Sequence, residues 1–446
     1  MRTINGHEIP SLSAEANLKR AMTAHSEDQL TVDSERLQAD ITTLASYRDN
    51  DYPGWSREVF TEPYRESRAW IRRTMIDAGL EVTIDAAGNI IGRLAGRNSN
   101  KPALVTGSHT DTVRQGGRFD GIVGVLSGIE IARRLRETGI TLQHDLVMVD
   151  FLGEEANEFG ISCLGSRAIT GTLSTEHLNR QDGNDILLGD AMVAYGIDAD
   201  AATQCRWPRG SVHAYLELHI EQGPLLERSG HQIGIVTAIA GIDRVLARFI
   251  GRSGHAGTTP MADRHDALVA AAQAVLTVDR VGCSAPTHGV ATSGRIESSP
   301  GSMGVITDHA HLWAEIRSVD PSWLQGARRQ VVDEIIAHAQ ARGVDVEIDT
   351  LTDQDPVPTH SSLQDIAATV ANDLGCSWTS VPSGAGHDAA HLAKLGPIGM
   401  IFIPSAGGLS HCPEEFTTAI DIARGAHVLA AALIRLDHQH NPISRQ

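Results

Sequence analysis

The hydrophobic pattern changes rhythm twice along the chain. From Ser34 to Leu80 apolar residues recur at helical spacing (Leu37, Ile41, Leu44, then Trp70, Ile71, Met75), and Gly79 closes the second of two helices. Val82 to Leu94 alternates as strands around a turn at Ala87-Gly88. An α/β rhythm follows. Strands are predicted over Ala103–Gly107, Leu146–Leu152, Tyr215–Ile220 and Gly399–Pro404, with a helix over Ile122–Leu135 ended by Gly139. Leu146–Leu152 is almost continuously apolar, as in a strand covered on both faces. Between Gly241 and Asp353 the order becomes β-α-β-β-α-β, a ferredoxin-like unit. Its strands are predicted over Asp243–Gly251, Gly289–Glu297, His309–Arg317 and Val344–Leu351, and its helices over Asp266–Val281 and Gln325–Arg342. The α/β rhythm resumes at Leu363 and ends in a long helix around Ile420–Leu436. The pattern therefore predicts an α/β domain (residues 1–240 and 354–446) carrying an inserted α+β domain (residues 241–353). Residues 1 to about 30 are polar and aperiodic, an irregular lead-in.

Charge and composition narrow the partners. Asp plus Glu number 55 against 37 Lys plus Arg, a net charge of −18, which argues against nucleic-acid and anionic-membrane partners. Aromatic residues are 4% of the chain, too few for base-stacking platforms. The five cysteines are scattered without a CxxC pair, which argues against a disulfide framework and fits a reducing compartment. The first residues lack an apolar signal core, and no apolar run is long enough to span a bilayer. A cytoplasmic protein is the expectation.

The predicted α/β strands end in titratable residues. Ala103–Gly107 leads into Ser108-His109-Thr110-Asp111 and then Gly116-Gly117-Arg118-Phe119-Asp120-Gly121. Leu146–Leu152 leads into Gly153-Glu154-Glu155, Tyr215–Ile220 contains His219, and Gly399–Pro404 precedes Ser410-His411. In open α/β sheets ligands gather at the carboxyl ends of strands, so these candidates share one edge. His, Asp and Glu converging there can build a carboxylate-bridged metal pair, which generates hydroxide near neutral pH to attack an amide. Taken alone, each signal reads as a solvated loop or half-exposed strand residue; together they read as a site. Asp111, two residues after His109, has the offset to accept the other imidazole N–H. Of Glu154 and Glu155, one can bind metal while its neighbour serves as a base. Cys412 could ligate beside His411, but the imidazole is favoured. Gly251-Arg252-Ser253-Gly254 lacks the last Gly of a nucleophile elbow, and P-loop, HExxH and SxxK motifs are absent.

In order, these motifs resemble the M20 family of two-metal amidohydrolases, nearest the branch of N-carbamoyl-L-amino-acid hydrolases, β-ureidopropionases and allantoate amidohydrolases. The likeness runs from about Gly54 to the final helix. It rests on Ser108–Thr112, Gly116–Gly121, Glu154-Glu155, the HIEQGP string at His219–Pro224, the HAGTTPM string at His255–Met261, Gly384–Ala389 and Ser410-His411. The resemblance implies a two-metal hydrolase domain with a central mixed sheet flanked by helices, plus the ferredoxin-like insert as dimerisation and lid domain. It implies that Asp120 bridges two divalent ions, with His109 and His219 on one and Glu155 and His411 on the other. Glu154 would be the general base, and Asp111 would support catalysis. His255 would reach a partner subunit's site and polarise the scissile carbonyl there. Arg317 would clamp the substrate carboxylate, with Gln222 a further substrate contact. The ligand set admits Zn, Mn, Co or Ni. Two ions bring +4 against −2 from Asp120 and Glu155, so a small anionic amide or ureide substrate is expected. The expected enzyme is a homodimer cleaving linear C–N bonds. An N-acyl-amino-acid amidase, an aminopeptidase or a silent metal-binding relative are the alternatives. The chain departs from the branch at Glu158, where carbamoylases carry Arg, and at Gly301 and Gly304, where they carry Asn.

Overall fold

A computed structural model describes residues 30–286 and 288–439. Apart from Leu30, the expected lead-in lies outside them. The described chain forms two compact units: residues 30–237, 359–381 and 387–439 in one, Ala238–Pro358 and Pro382–Gly386 in the other.

The first unit is built on a mixed sheet with strands in the order Glu81–Ile84, Ile90–Leu94, Leu146–Phe151, Ala103–His109, Val212–Ile220, Ile398–Ile403 and Ile233–Ile239. Four consecutive members, Leu146–Phe151 to Ile398–Ile403, are parallel, so their carboxyl ends share one edge. Leu146–Phe151 and Ile398–Ile403 are buried at every residue. Both sheet faces are therefore covered, which is why these strands read as apolar runs rather than as alternation. Helices Ile122–Thr138 and Ala419–Asp437 pack on the parallel strands, and the core joins Leu126, Ile129, Leu216, Leu218, Ile401 and Leu429. Gly139 ends the first of these helices in the left-handed region at φ +72°, the conformation expected of a C-terminal glycine.

The second unit is a four-stranded antiparallel sheet in the order Asp345–Gln354, Gly241–Ile250, His309–Ser318, Val290–Ser299, with helices Ala267–Cys283 and Pro321–Gln340 packed on it. Along His309–Ser318 burial alternates, so Ala310, Leu312, Ala314 and Ile316 enter the core with Val278, Val331 and Ile335. The second helix begins at Pro321, four residues before the predicted start at Gln325. Asp320 caps it, accepting from Ser322 N and Trp323 N, and Pro occupies the first turn, where an N–H would have no partner. Among the described residues no helix is long and apolar enough to cross a membrane.

Candidate metal centre

Each parallel strand delivers a group to the shared edge. His109 ends its strand, Glu154 and Glu155 follow Leu146–Phe151 beyond Gly153, and His219 is the penultimate residue of Val212–Ile220. His411 lies in the loop after Ile398–Ile403, and Asp120 precedes Gly121 at the start of the helix Ile122–Thr138. Gly121 sits at φ +68°, and a Cβ there would fall 2.3 Å from His109 Nε2, so glycine is what lets this helix start against the imidazole.

The groups gather around Asp120. Ligand atoms of His109, Asp120 and His219 lie within 4.8 Å of one another, and so do those of Asp120, Glu155 and His411. Asp120 Oδ1 is 3.0 Å from His219 Nε2 and 3.9 Å from His109 Nε2, while Oδ2 is 3.2 Å from His411 Nε2. Glu155 Oε2 is 3.4 Å from His411 Nε2. Glu154 belongs to neither group; its carboxylate lies 3.6 Å from His109 Nε2 and 3.5 Å from Cys163 Sγ. Apart from the exposed His411, these ligand candidates and Glu154 are buried.

Backbone carbonyls orient two of the imidazoles. His109 Nδ1 lies 3.1 Å from the Asp111 carbonyl and His219 Nδ1 2.9 Å from the Ile220 carbonyl. A carbonyl only accepts, so Nδ1 carries the proton in both rings; Nε2 of His109 then turns its lone pair to the cluster, while Nε2 of His219 accepts from Gly121 N at 3.1 Å. This corrects the expectation for Asp111. Its carboxylate is 3.6 Å from His109 Nδ1, beyond hydrogen-bond reach, and instead accepts from Glu154 N at 3.2 Å and Glu155 N at 3.0 Å. Those buried N–H groups need an acceptor, and the carbonyl meets the imidazole's need. Gln222 donates Nε2 to Asp120 Oδ2 at 2.6 Å. In the other unit, His255 is exposed on the two-residue strand Gly254–His255, its Nδ1 accepting from Gly257 N at 3.0 Å. Arg317 donates Nε to Glu315 at 2.5 Å and Nη1 to the Gly384 carbonyl at 3.3 Å.

The electrostatics fit a cation. Burial raises the Asp120 carboxyl, yet His219 and His411 bring it well below the usual range. Burial lowers His109, yet Glu154 and Asp111 push it well above its ordinary value, and Glu155 leads in raising His411 to about 10. Burial drives Glu155 up to about 7 and Glu154 well above the carboxylate range, with His109 opposing it and Asp388 and Glu155 reinforcing it. Asp120 Oδ1 is buried with no hydrogen-bond donor among the described residues. A buried carboxylate oxygen without a donor, set among imidazoles and a second carboxylate, is costly unless a cation sits among them. The imidazole and carboxylate donors suit a divalent ion of borderline hardness.

Several residues escaped the reading of motifs. Glu415 Oε1 accepts from Phe119 N at 2.8 Å and Asp120 N at 3.1 Å. Ser410 Oγ lies 2.8 Å from Glu415 Oε2 and 2.9 Å from Asp120 Oδ2, so this pair ties the Asp120 turn to the His411 loop. Glu217 is buried beneath His219 and accepts from Ser108 Oγ at 2.7 Å and Tyr215 Oη at 2.9 Å. Asp388 is buried and accepts from Ser166 Oγ at 2.5 Å. These buried acids also correct the charge count, which considered Asp120 and Glu155 alone. Burial raises the Glu217, Asp388 and Glu415 carboxyls.

Fold and site define a two-unit α/β protein whose sheet edge holds a buried His–carboxylate cluster. A model of the peptidase family M20/M25/M40 matches residues 105–435; the chain belongs to that family and is a hydrolase. It is 35% identical over 412 residues to an N-carbamoyl-L-amino-acid amidohydrolase of Pseudomonas sp. (strain NS671), covering 91% of this chain and 99% of that one. It is 33% identical over 397 residues to the allantoate amidohydrolase of Bacillus subtilis (strain 168), covering 89% and 96%. Among solved structures, AtUAH in complex with glyoxylate superimposes with a TM-score of 0.84 at 35% identity, over 92% of this chain and 99% of that one.

Proposed function

We propose that the protein hydrolyses the C–N bond of a linear amide or ureide carried by a small carboxylate, an N-carbamoyl-L-amino acid or an allantoate-like ureide. The observation that carries this reading is the pair of ligand groups sharing Asp120, with Glu154 beside them and outside both. Relatives matched over about nine-tenths of the chain are amidohydrolases named for such compounds.

His109 and His219 would hold one divalent ion (Zn, Mn, Co or Ni) and Glu155 and His411 a second, with Asp120 shared. When bound, such ions activate water and polarise the carbonyl under attack. Glu154 takes the water's proton as its oxygen bonds to the carbonyl carbon, and delivers that proton to the nitrogen as the C–N bond breaks. Asp111 fixes the Glu154-Glu155 backbone, and Gln222 steadies Asp120. Removing the metal with a chelator, reconstituting with each of the four ions and assaying N-carbamoyl, N-formyl and N-acyl amino acids and allantoate tests the reading. Metal-restored hydrolysis of a ureido substrate is expected. Full activity without metal, or cleavage confined to peptides, would refute it.

In this reading the inserted unit, about residues 241–353, serves as lid and dimerisation domain. Arg317 holds the substrate carboxylate, and His255 polarises the carbonyl in the partner's site. Mixing inactive His255→Ala and Glu154→Gln chains should then recover activity in hybrid dimers, which retain one intact combination of the two groups. Hybrids shown to form without recovery would remove the trans role. A cytoplasmic location completes the reading, supported by five free cysteines.

A further inference from the structure

A cavity of about 250 Å³ opens beside the cluster, with Glu155 and Asp111 in its lining. Its position next to Glu155 places any occupant at the site of the proposed reaction. Its wall is apolar, formed by Phe60, Phe159 and Ile186. Phe60 is held at φ +67°, a conformation bulky L residues seldom adopt, by edge-on contacts with Phe159 at 6.4 Å and Tyr195 at 5.5 Å between ring centroids.

The charged part of the lining is mostly acidic: besides Asp111 and Glu155 it holds Glu58, Glu158 and Asp182, against a single cation, Arg114. Arg114 is engaged by both neighbours, with Nε 3.0 Å from Glu58 and Nη2 3.0 Å from Glu158. A carboxylate entering here would have to displace one of them and meet the others' repulsion. An apolar stem would cover the aromatic wall and leave its end at the acidic rim, where a cation gains most.

We infer that this cavity receives the substrate's side chain and selects an apolar stem ending in a cation, as in an N-carbamoyl derivative of a basic amino acid, over one ending in a carboxylate. The inference rests on the C–N hydrolysis proposed above and assigns its specificity to Glu58 and Glu158.

The test compares kcat/KM on the Nα-carbamoyl derivatives of L-lysine, L-norleucine and L-glutamate, using the metal-loaded full chain. Lysine should lead norleucine, and glutamate should trail lysine by on the order of tenfold or more, a gap that narrows with added salt. In Glu58→Gln/Glu158→Gln the lysine-to-norleucine ratio should collapse towards one, and Glu158→Arg should shift preference towards glutamate. Both positions are partly solvent-exposed, so these exchanges leave Arg114 hydrated rather than buried unpaired. Glutamate cleaved as well as lysine, or a lysine-to-norleucine ratio unmoved in the double variant, overturns the inference while the reaction stands. Cleavage of none of the three overturns the inference, and if allantoate is left intact as well, the reading of the reaction falls with it.

Discussion

Glu154→Gln is expected to lower kcat by about 10²–10⁴-fold, the usual contribution of a positioned general base, or about 2.7–5.5 kcal/mol of transition-state stabilisation. The exchange is nearly isosteric; it removes the carboxylate's charge and its ability to take up a proton. Glu154 stands outside both ligand groups, so metal content should be unchanged. Its neighbours predict the same. Cys163 Sγ at 3.5 Å can still donate to an amide oxygen, and its backbone N–H bond to Asp111 is independent of the side chain. Metal analysis and steady-state kinetics on one preparation separate the outcomes. Full activity would place the base elsewhere, and lost metal would make Glu154 a ligand.

The residues that sequence made visible are those whose surroundings follow from strand ends and glycines. His109, Asp120 and His219 lie where an apolar run stops or a helix starts, and the common edge of four parallel strands follows from the α/β rhythm. What stayed hidden is long-range. Glu415 lies 295 positions from Asp120, in a loop that reads as ordinary acidic surface, yet it binds the Asp120 backbone. Glu217 and His219 alternate with Leu216, Leu218 and Ile220, the pattern of a strand with one wet face. Neighbouring strands and helices close both faces, so the polar side became a buried support for the site. Asp111 shows the same limit at short range. Its spacing from His109 was legible, but the donors competing for its carboxylate lie 43 and 44 residues away.

Asp120→Ala should abolish tight binding at both proposed metal positions, and activity with it, because one carboxylate serves both ligand groups. The loss should exceed that from altering an outer support. Glu415→Gln supplies that comparison, since Gln retains one acceptor for the Phe119 and Asp120 N–H groups but loses the charge. A supporting residue of this kind typically costs 10–100-fold in metal affinity, so about that loss is expected, with activity largely recovered at high metal concentration. Asp120→Ala should show no such recovery, because added metal cannot replace a shared ligand. The fold should survive it: removing the carboxylate also removes a buried acceptor lacking a donor, although Gln222 and Ser410 lose a partner. Circular dichroism and thermal unfolding establish that folding is intact before metal is counted. Two tightly bound ions in a folded Asp120→Ala chain would exclude the bridging role, and a metal affinity unchanged in Glu415→Gln would show that the Asp120 turn holds its place without that clamp.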